Sequence, residues 1–144
     1  MPINAGEICN REVVVVYRDT SLLAAAQLMR EHHVGSLVVV ADRGAERVPV
    51  GIVTDRDLIV AVAAKGMDLR TVDVGEVMSP DLYTVREQDS VTDVLRLMRE
   101  RGVRRLPVVT PTGALAGIVT IDDVLDIVAE QLDDVVRAVG RERA

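Results

Sequence analysis

The sequence predicts an α/β fold of the mixed α+β kind, in which two copies of a β-α-β-β-α unit pack together as one module. Three observations support this prediction. The second half of the chain repeats the first at an almost constant spacing. Each half alternates short β-branched runs with segments of helical apolar spacing. Each half is too short to bury enough apolar surface for a stable domain of its own, so we expect the two sheets to pack against each other.

The repeat is visible when the two halves are superposed. A shift of 69 residues places Gly6–Ile8 on Gly75–Val77 and superposes two Leu-Met-Arg-Glu strings. Later in the chain the shift is 66 residues, and it superposes two Gly-Ile-Val-Thr strings. The difference of three residues falls in the predicted loop 41–50, whose partner is the shorter loop 110–116. One length difference, placed in a loop, is typical of a duplicated structural unit.

Each copy predicts the same series of elements. β-branched runs predict the strands, and apolar residues three and four positions apart predict the helices. Ser90–Asp93 has the composition of a capping box, and Gly102 suits the position just past a helix C-terminus. The predicted elements of the two copies, in chain order, are strands at Val13–Val16 and Leu82–Val85, helices at Ser21–His33 and Ser90–Arg101, strands at Leu37–Val40 and Leu106–Val109, turns at Asp42–Gly44 and Pro111–Gly113, strands at Val50–Thr54 and Leu115–Thr120, and final helices near Asp57–Ala64 and Asp123–Val139.

The predicted organisation is a first repeat at 5–66, a second repeat at 74–130 and a C-terminal helix extension at 131–144. The last helix has an acidic solvated face and an apolar stripe that is longer than the first copy offers. We expect the excess of this stripe to be a dimer contact. The stripe consists of Val124, Leu125, Val128, Leu132, Val135 and Val136.

Composition limits the classes of function. The net charge of −6 argues against a nucleic-acid binder or a polybasic membrane anchor, which need a basic surface. No apolar run approaches the roughly 18–20 residues that cross a bilayer, and the first residues lack the features of a signal peptide. The expected location is therefore the cytoplasm. Tyr17 and Tyr83 are the only aromatic residues, so a flat ligand would be held by aliphatic side chains and main chain.

The two final helices begin with the same sequence motif. The pattern Gly-h-h-Thr-x-x-Asp, in which h is apolar, stands at Gly51–Asp57 and again at Gly117–Asp123. The second copy also contains Gly-Val-Arg-Arg-Leu-Pro-Val at 102–108. Together with the order of elements, these strings resemble the CBS domain, named after cystathionine β-synthase, over about residues 5–130. The resemblance implies a tandem pair, or Bateman module, with pseudo-two-fold symmetry and two clefts between the repeats.

The resemblance also implies a ligand and its binding residues. Such clefts commonly bind adenosine nucleotides (AMP, ADP or ATP). A threonine at a helix N-terminus would meet a phosphate, and an aspartate one turn later would accept hydrogen bonds from the ribose hydroxyls. The implied residues are Thr54, Thr120, Asp57 and Asp123 in these two roles; Arg56, Arg104 and Arg105 as phosphate partners; main chain near Val34, Ser36 and Leu37 and near Leu106 and Pro107 at the adenine edge; and Ile8 and Val77 as apolar walls.

The two copies are not equivalent, so several site arrangements stay open. The first copy has Gly35-Ser36 where the second has Arg104-Arg105, and Asp122 stands where the first copy has Arg56. Two working sites, one site, or one site for a less charged ligand all fit. The sequence favours the cleft that contains Thr54 and Asp57. Each Thr-x-x-Asp pair also fits a plain helix cap.

Two functional hypotheses follow. The first is a non-catalytic sensor, expected to be a homodimer, that binds an adenosine nucleotide and signals through an unidentified effector protein. The alternative is a ligand-free structural or interaction module. An enzyme is disfavoured because the sequence offers no nucleophile–base pair and no phosphate-binding glycine loop. No cofactor is required, no metal-ligand spacing accompanies His32 and His33, and magnesium at the phosphates is left undecided.

Overall fold

The computed structural model describes residues 3–143. Met1, Pro2 and Ala144, the last residue of the predicted extension, lie outside this range. The elements are α1 (Ala5–Ile8), β1 (Val15–Val16), α2 (Leu22–His32), β2 (Ser36–Arg43), β3 (Glu46–Thr54), α3 (Asp55–Ile59) followed by a π-helical turn (Val60–Ala64), α4 (Val74–Val77), β4 (Val85–Arg86), α5 (Val91–Arg101), β5 (Arg105–Val109), β6 (Leu115–Thr120) and α6 (Ile121–Arg143).

The strands form two three-stranded sheets with the same topology. In the order β1-β2-β3, β1 runs parallel to β2 and β2 runs antiparallel to β3. The second sheet has the order β4-β5-β6 and the same directions. The predicted α/β fold with two β-α-β-β-α repeats is therefore confirmed.

Each sheet packs one face against its helices. In the first repeat Leu37, Val39 and Val53 are buried in a core that also contains side chains of α2. Leu106, Val108 and Val119 bury the corresponding face of the second sheet. These cores are aliphatic, as the composition requires.

Several predicted bounds were wrong. The first strands are shorter than predicted and comprise Val15–Val16 and Val85–Arg86. The predicted loop 41–50 is mostly a hairpin, because β2 continues to Arg43 and pairs with a strand that begins at Glu46. The final helices also begin earlier, at Asp55 and Ile121. Helix α6 is continuous through the predicted boundary at residue 131 and reaches Arg143.

Two short helices were missed, and they join the repeats in a reciprocal way. Helix α1 lies against the second repeat, where Ala5 is fully buried and its amide donates to Asp89 O at 2.8 Å. Helix α4 lies against the first repeat, where Val74 is fully buried and its amide donates to Thr20 O at 2.8 Å. Each core is thus completed by a segment that precedes the other repeat in the chain. We call this arrangement the segment exchange.

Helix caps fix where the longer helices begin and end. Ser90 and Asp93 form the predicted capping box of α5, with Asp93 N donating to Ser90 Oγ at 3.1 Å. Gly102 ends α5 at a φ of 64°, as predicted. At the end of α2 the equivalent left-handed position holds His33, with a φ of 54°. None of the helices described combines the length and the apolar character needed to cross a bilayer.

Candidate ligand-binding cleft

Successive side chains of a strand point to opposite faces of its sheet, so one set enters the core and the other faces the second repeat. Along β2, Leu37 and Val39 enter the first core, so Ser36 and Val38 face the opposite way. Main-chain bridges close the gap between the repeats: Asn10 and Ile118 exchange two N–H···O bonds of 2.9 Å. Ile52 and Ser79 form the related bridge on the other side of the pseudo-two-fold axis.

An open cleft lies beside the Asn10–Ile118 bridge. It has a volume of about 190 Å³ and adjoins a second cavity of about 450 Å³, with which it shares five lining residues. Its first-repeat wall is mostly aliphatic, and its second-repeat wall carries the Thr-x-x-Asp pair. The residues that line the cleft are Asn10, Glu12, Val13, Val14, Val34, Ser36, Val38, Ile118, Thr120 and Asp123. A ligand here would touch both repeats at once.

Thr120 and Asp123 are held by each other across the first turn of α6. Asp123 N donates to Thr120 Oγ1 at 3.3 Å, and Thr120 N donates to Asp123 Oδ2 at 2.9 Å. These reciprocal bonds form a capping box, which fixes both side chains at the mouth of the cleft. Within the described residues no hydrogen bond engages Asp123 Oδ1, so this oxygen is available to a donor on a ligand.

A separate polar cavity shares Thr120 with the cleft. Its volume is about 260 Å³, and it is lined by Arg104, Arg105, Thr120, Ile121 and Asp122. Arg104 O accepts the Ile121 amide at 2.8 Å, which ties the arginine segment to the start of α6. Two guanidinium groups beside a helix N-terminus favour an anion. The carboxylate of Asp122, which lines the same cavity, partly offsets that charge.

The structure places the other predicted residues elsewhere. Thr54 and Asp57 form a second capping box, with Thr54 N donating to Asp57 Oδ2 at 2.8 Å, and they line none of the three cavities. Arg56 is exposed on α3. The side chains of Leu37, Leu106 and Pro107 are buried, so only their main chain could meet a ligand. Ile8 packs against the second core and Val77 against the first.

Sequence reasoning therefore found four residues of the cleft itself, Val34, Ser36, Thr120 and Asp123, and two of the adjoining polar cavity, Arg104 and Arg105. It missed Asn10, Glu12, Val13, Val14, Val38 and Ile118. The alternation around Leu37 was the available signal for Val38, since residues two apart share a face of a strand. No local signal indicated Asn10, which reaches the cleft through the segment exchange.

Close main-chain approach explains the glycine of the second motif. A Cβ at Gly117 would lie 2.7 Å from Cys9 Sγ and 2.8 Å from Asn10 O. The bridge beside the cleft therefore needs a residue without a side chain at this position. Cys9 is half-buried here, and burial raises the pKa of its thiol above the ordinary value.

The fold and the cleft define a class of protein: two similar repeats that enclose a ligand cleft between them. Residues 5–64 and 74–130 each match the CBS domain. The chain belongs to the CBS domain family and is a tandem CBS pair.

Relatives and solved structures agree with this assignment. Hypoxic response protein 1 of Mycobacterium tuberculosis is 38% identical over 120 residues, which are 83% of this chain and 81% of that protein. An uncharacterized protein of Methanopyrus kandleri is 36% identical over 125 residues, or 87% of this chain, and this chain spans 62% of that relative. The crystal structure of hypoxic response protein I with two coordinated zinc ions has a TM-score of 0.73 at 36% identity, covering 85% of this chain and 97% of that one.

A second solved structure carries a nucleotide. The cytosolic domain of the Mg²⁺ channel MgtE in complex with ATP has a TM-score of 0.73 at 32% identity. The match covers 86% of this chain and 48% of that chain, so this chain spans about half of the MgtE domain.

Proposed function

We propose that this protein is a non-catalytic regulatory module that binds an adenosine nucleotide in the cleft of Thr120 and Asp123. The observation that carries the proposal is the composition of the cleft, whose two walls come from different repeats. A ligand bound there has different contacts whenever the repeats change their relative position. Ligand binding can bias a conformational equilibrium only through such a difference.

The chemistry of the cavities matches the parts of a nucleotide. Val13, Val14, Val34 and Val38 offer aliphatic surface to a base. Asp123 Oδ1 offers an acceptor to a ribose hydroxyl, and Arg104 and Arg105 offer cations to a phosphate. The cleft alone is smaller than the roughly 300–1,000 Å³ of ordinary ligand sites. The adjoining cavities of about 450 and 260 Å³ supply the missing room. The ATP complex of the MgtE domain supports a nucleotide in a related module.

The first experiment is a titration with AMP, ADP and ATP, with and without Mg²⁺, followed by thermal unfolding and calorimetry. A ligand at about 100 times its dissociation constant adds about 2.7 kcal/mol to stability, which raises Tm by several degrees. Asp123→Asn keeps a cap acceptor but removes the charge. Because a hydrogen bond to a charged group is worth about 1.5–3 kcal/mol, we expect binding to weaken at least tenfold.

Asp57→Asn is the matched control, because it makes the same change in the other capping box. We expect it to leave nucleotide affinity unchanged. Weaker binding in the Asp57 variant alone would move the site to the Thr54 cleft, which the sequence favoured. The absence of binding by the native chain to all three nucleotides would overturn the proposal.

One observation favours the alternative, a ligand-free interaction module. Both Asp57 and Asp123 already have partners within their own capping boxes, and Asp122 places a negative charge beside the two arginines. Under this alternative, nucleotides leave Tm unchanged, and the two aspartate variants differ from the native chain only in stability.

A further inference from the structure

Helix α6 is longer than the module needs. Its first turns pack on the second repeat, where Val124 is buried in the core. From Ala129 to Arg141 every residue is exposed. At 1.5 Å per residue, a helix of 23 residues is about 34 Å long, so much of it carries no tertiary packing of its own.

The exposed face of α6 carries a heptad pattern. Ile121, Leu125, Val128, Leu132, Val135 and Val139 follow one another at alternating steps of four and three residues. Such steps keep apolar side chains along a seam that faces a second helix. The five from Leu125 onward are between 42% and 63% exposed, so nothing in the described chain covers the seam. Val136, Ala129 and Ala138 flank it without charge, which permits close approach of another helix.

The order of residues along the seam disfavours a parallel pair. Parallel two-stranded coils favour β-branched residues at the first seam position of each heptad and leucine at the second. Here Leu125 and Leu132 stand at the first position, and Val128 and Val135 stand at the second. In an antiparallel pair the two kinds of position face each other, so each leucine would meet a valine.

Charge along the helix is complementary to itself in the antiparallel direction. Residues 121–134 contain six acidic residues and no basic one. The next charged residues are Arg137, which pairs with Asp133 at 2.8 Å, and Arg141. A parallel pair would align acidic with acidic along most of its length. An antiparallel pair brings the basic end of each helix toward the acidic part of the other, and two-fold symmetry makes this contact twice.

We infer that α6 pairs antiparallel with α6 of a second copy of this chain. The seam aligns best with the two-fold axis level with residue 130, because this register pairs all six seam residues. Leu125 then faces Val135 of the second copy, Val128 faces Leu132, and Ile121 faces Val139. The seam lies outside the ligand cleft, so this inference is independent of nucleotide binding.

Cysteine cross-linking tests both the pairing and its direction. Leu125→Cys and Val135→Cys are made separately in a chain whose only cysteine is removed by Cys9→Ser. In the antiparallel pair, residue 125 lies about 15 Å along the axis from residue 125 of the other copy, too far for a disulfide. We expect neither variant to cross-link alone and a mixture of the two to form a mixed disulfide after subunit exchange. Cross-linking of each variant with itself, or no cross-link in the mixture, would overturn the inference.

Sedimentation equilibrium supplies the second test. Leu132→Gln with Val135→Gln changes two exposed side chains, so we expect the monomer to stay folded, and circular dichroism checks this. We expect self-association to weaken at least tenfold, whereas Glu130→Gln on the opposite face leaves it unchanged. Nucleotide affinity of the double variant stays that of the native chain. A native chain that is monomeric, or a double variant that associates like the native chain, would contradict the pairing.

Discussion

The equivalent helices α2 and α5 end in the same left-handed conformation but with different residues. The chain leaves α2 through His33 and leaves α5 through Gly102, both in the left-handed conformation. Glycine adopts this conformation without strain, whereas for a residue with a Cβ the conformation costs about 1–2 kcal/mol of free energy. No atom lies within 4 Å of a Cβ placed on Gly102, so the conformation alone sets the preference for glycine there.

This difference predicts opposite effects of two substitutions. His33→Gly removes the strain at the end of α2, and we expect it to raise stability by about 1 kcal/mol. Gly102→Ala introduces the same strain at the end of α5, and we expect a loss of about 1 kcal/mol. Urea unfolding of both variants gives the values. The opposite sign in either variant would show that contacts of the side chain outweigh the conformation.

Single residues also show what local sequence can reveal about the site. Thr120 and Asp123 lie three positions apart on one helix turn, so their motif is visible in the sequence. Asn10 and Ile118 lie 108 residues apart in sequence and meet only through a main-chain bridge. The sequence favours the pair Thr54 and Asp57, whose motif has Arg56 where the second copy has Asp122. The open cleft instead joins the motif of the second repeat to the strand entrance of the first.

Among the strands, those of the β2–β3 hairpin differ most from their counterparts in the second repeat. The three additional residues of the hairpin extend the strands beyond the β-bulge near Val39 and Val40. The tip reaches the turn of the second repeat, where Arg43 donates to Thr112 O and Thr112 Oγ1 donates to Glu46 Oε2 at 2.6 Å. The bond from Thr112, with Arg43 nearby, lowers the pKa of Glu46 from its ordinary value of 4.5. We call this group the tip contact.

The tip contact predicts a pH dependence. A carboxyl whose pKa is lower in the folded state stabilises it above its ordinary value of 4.5, and that contribution is lost as the pH falls through the lower folded value. We therefore expect the native chain to be more stable than Glu46→Gln at pH 7 and the difference to shrink below pH 4.5. Urea midpoints across this range measure it. With Thr112→Val in both chains the pH dependence should become smaller, because only Arg43 then lowers the pKa of Glu46; if it is unchanged, another group is responsible.

The length of a helix decides whether apolar spacing in the sequence can predict it. Amphipathic spacing identified α2 and α5 within one residue at each end, because eleven residues contain three turns. Helices α1 and α4 have four residues each, too few to show a period of 3.6. They form because each is fixed by main-chain bonds to the other repeat.

For the whole molecule, the segment exchange makes the two cores interdependent. Neither repeat has a complete core without a segment that lies before the other in the chain. The sequence predicted that the two halves pack together but not which segment lies on which half. That choice depends on main-chain bonds between distant residues, such as Gly6 N to Glu87 O and Gly75 N to Arg18 O.

Because each core needs a segment from the other half of the chain, we expect the two repeats to unfold in a single transition. Val74→Ala removes two methyl groups from the first core, so we expect a loss of about 2 kcal/mol. Both repeats should unfold together in this variant, although the change is in one core. Tyrosine fluorescence separates the two, because Tyr83→Phe leaves Tyr17 as reporter of the first repeat and Tyr17→Phe leaves Tyr83 for the second. Different midpoints from the two reporters would show independent halves.

The segment exchange also bears on how such a chain could have arisen. A polypeptide with only one repeat would have to obtain its missing short helix from a second polypeptide, and its folding would depend on concentration. Duplication and fusion of the gene convert that encounter between molecules into one within a single chain, at an effective concentration set by the connection between the repeats. Once the two copies were joined, each was free to change without its twin, and they now differ at Arg104 and Arg105, whose counterparts are Gly35 and Ser36.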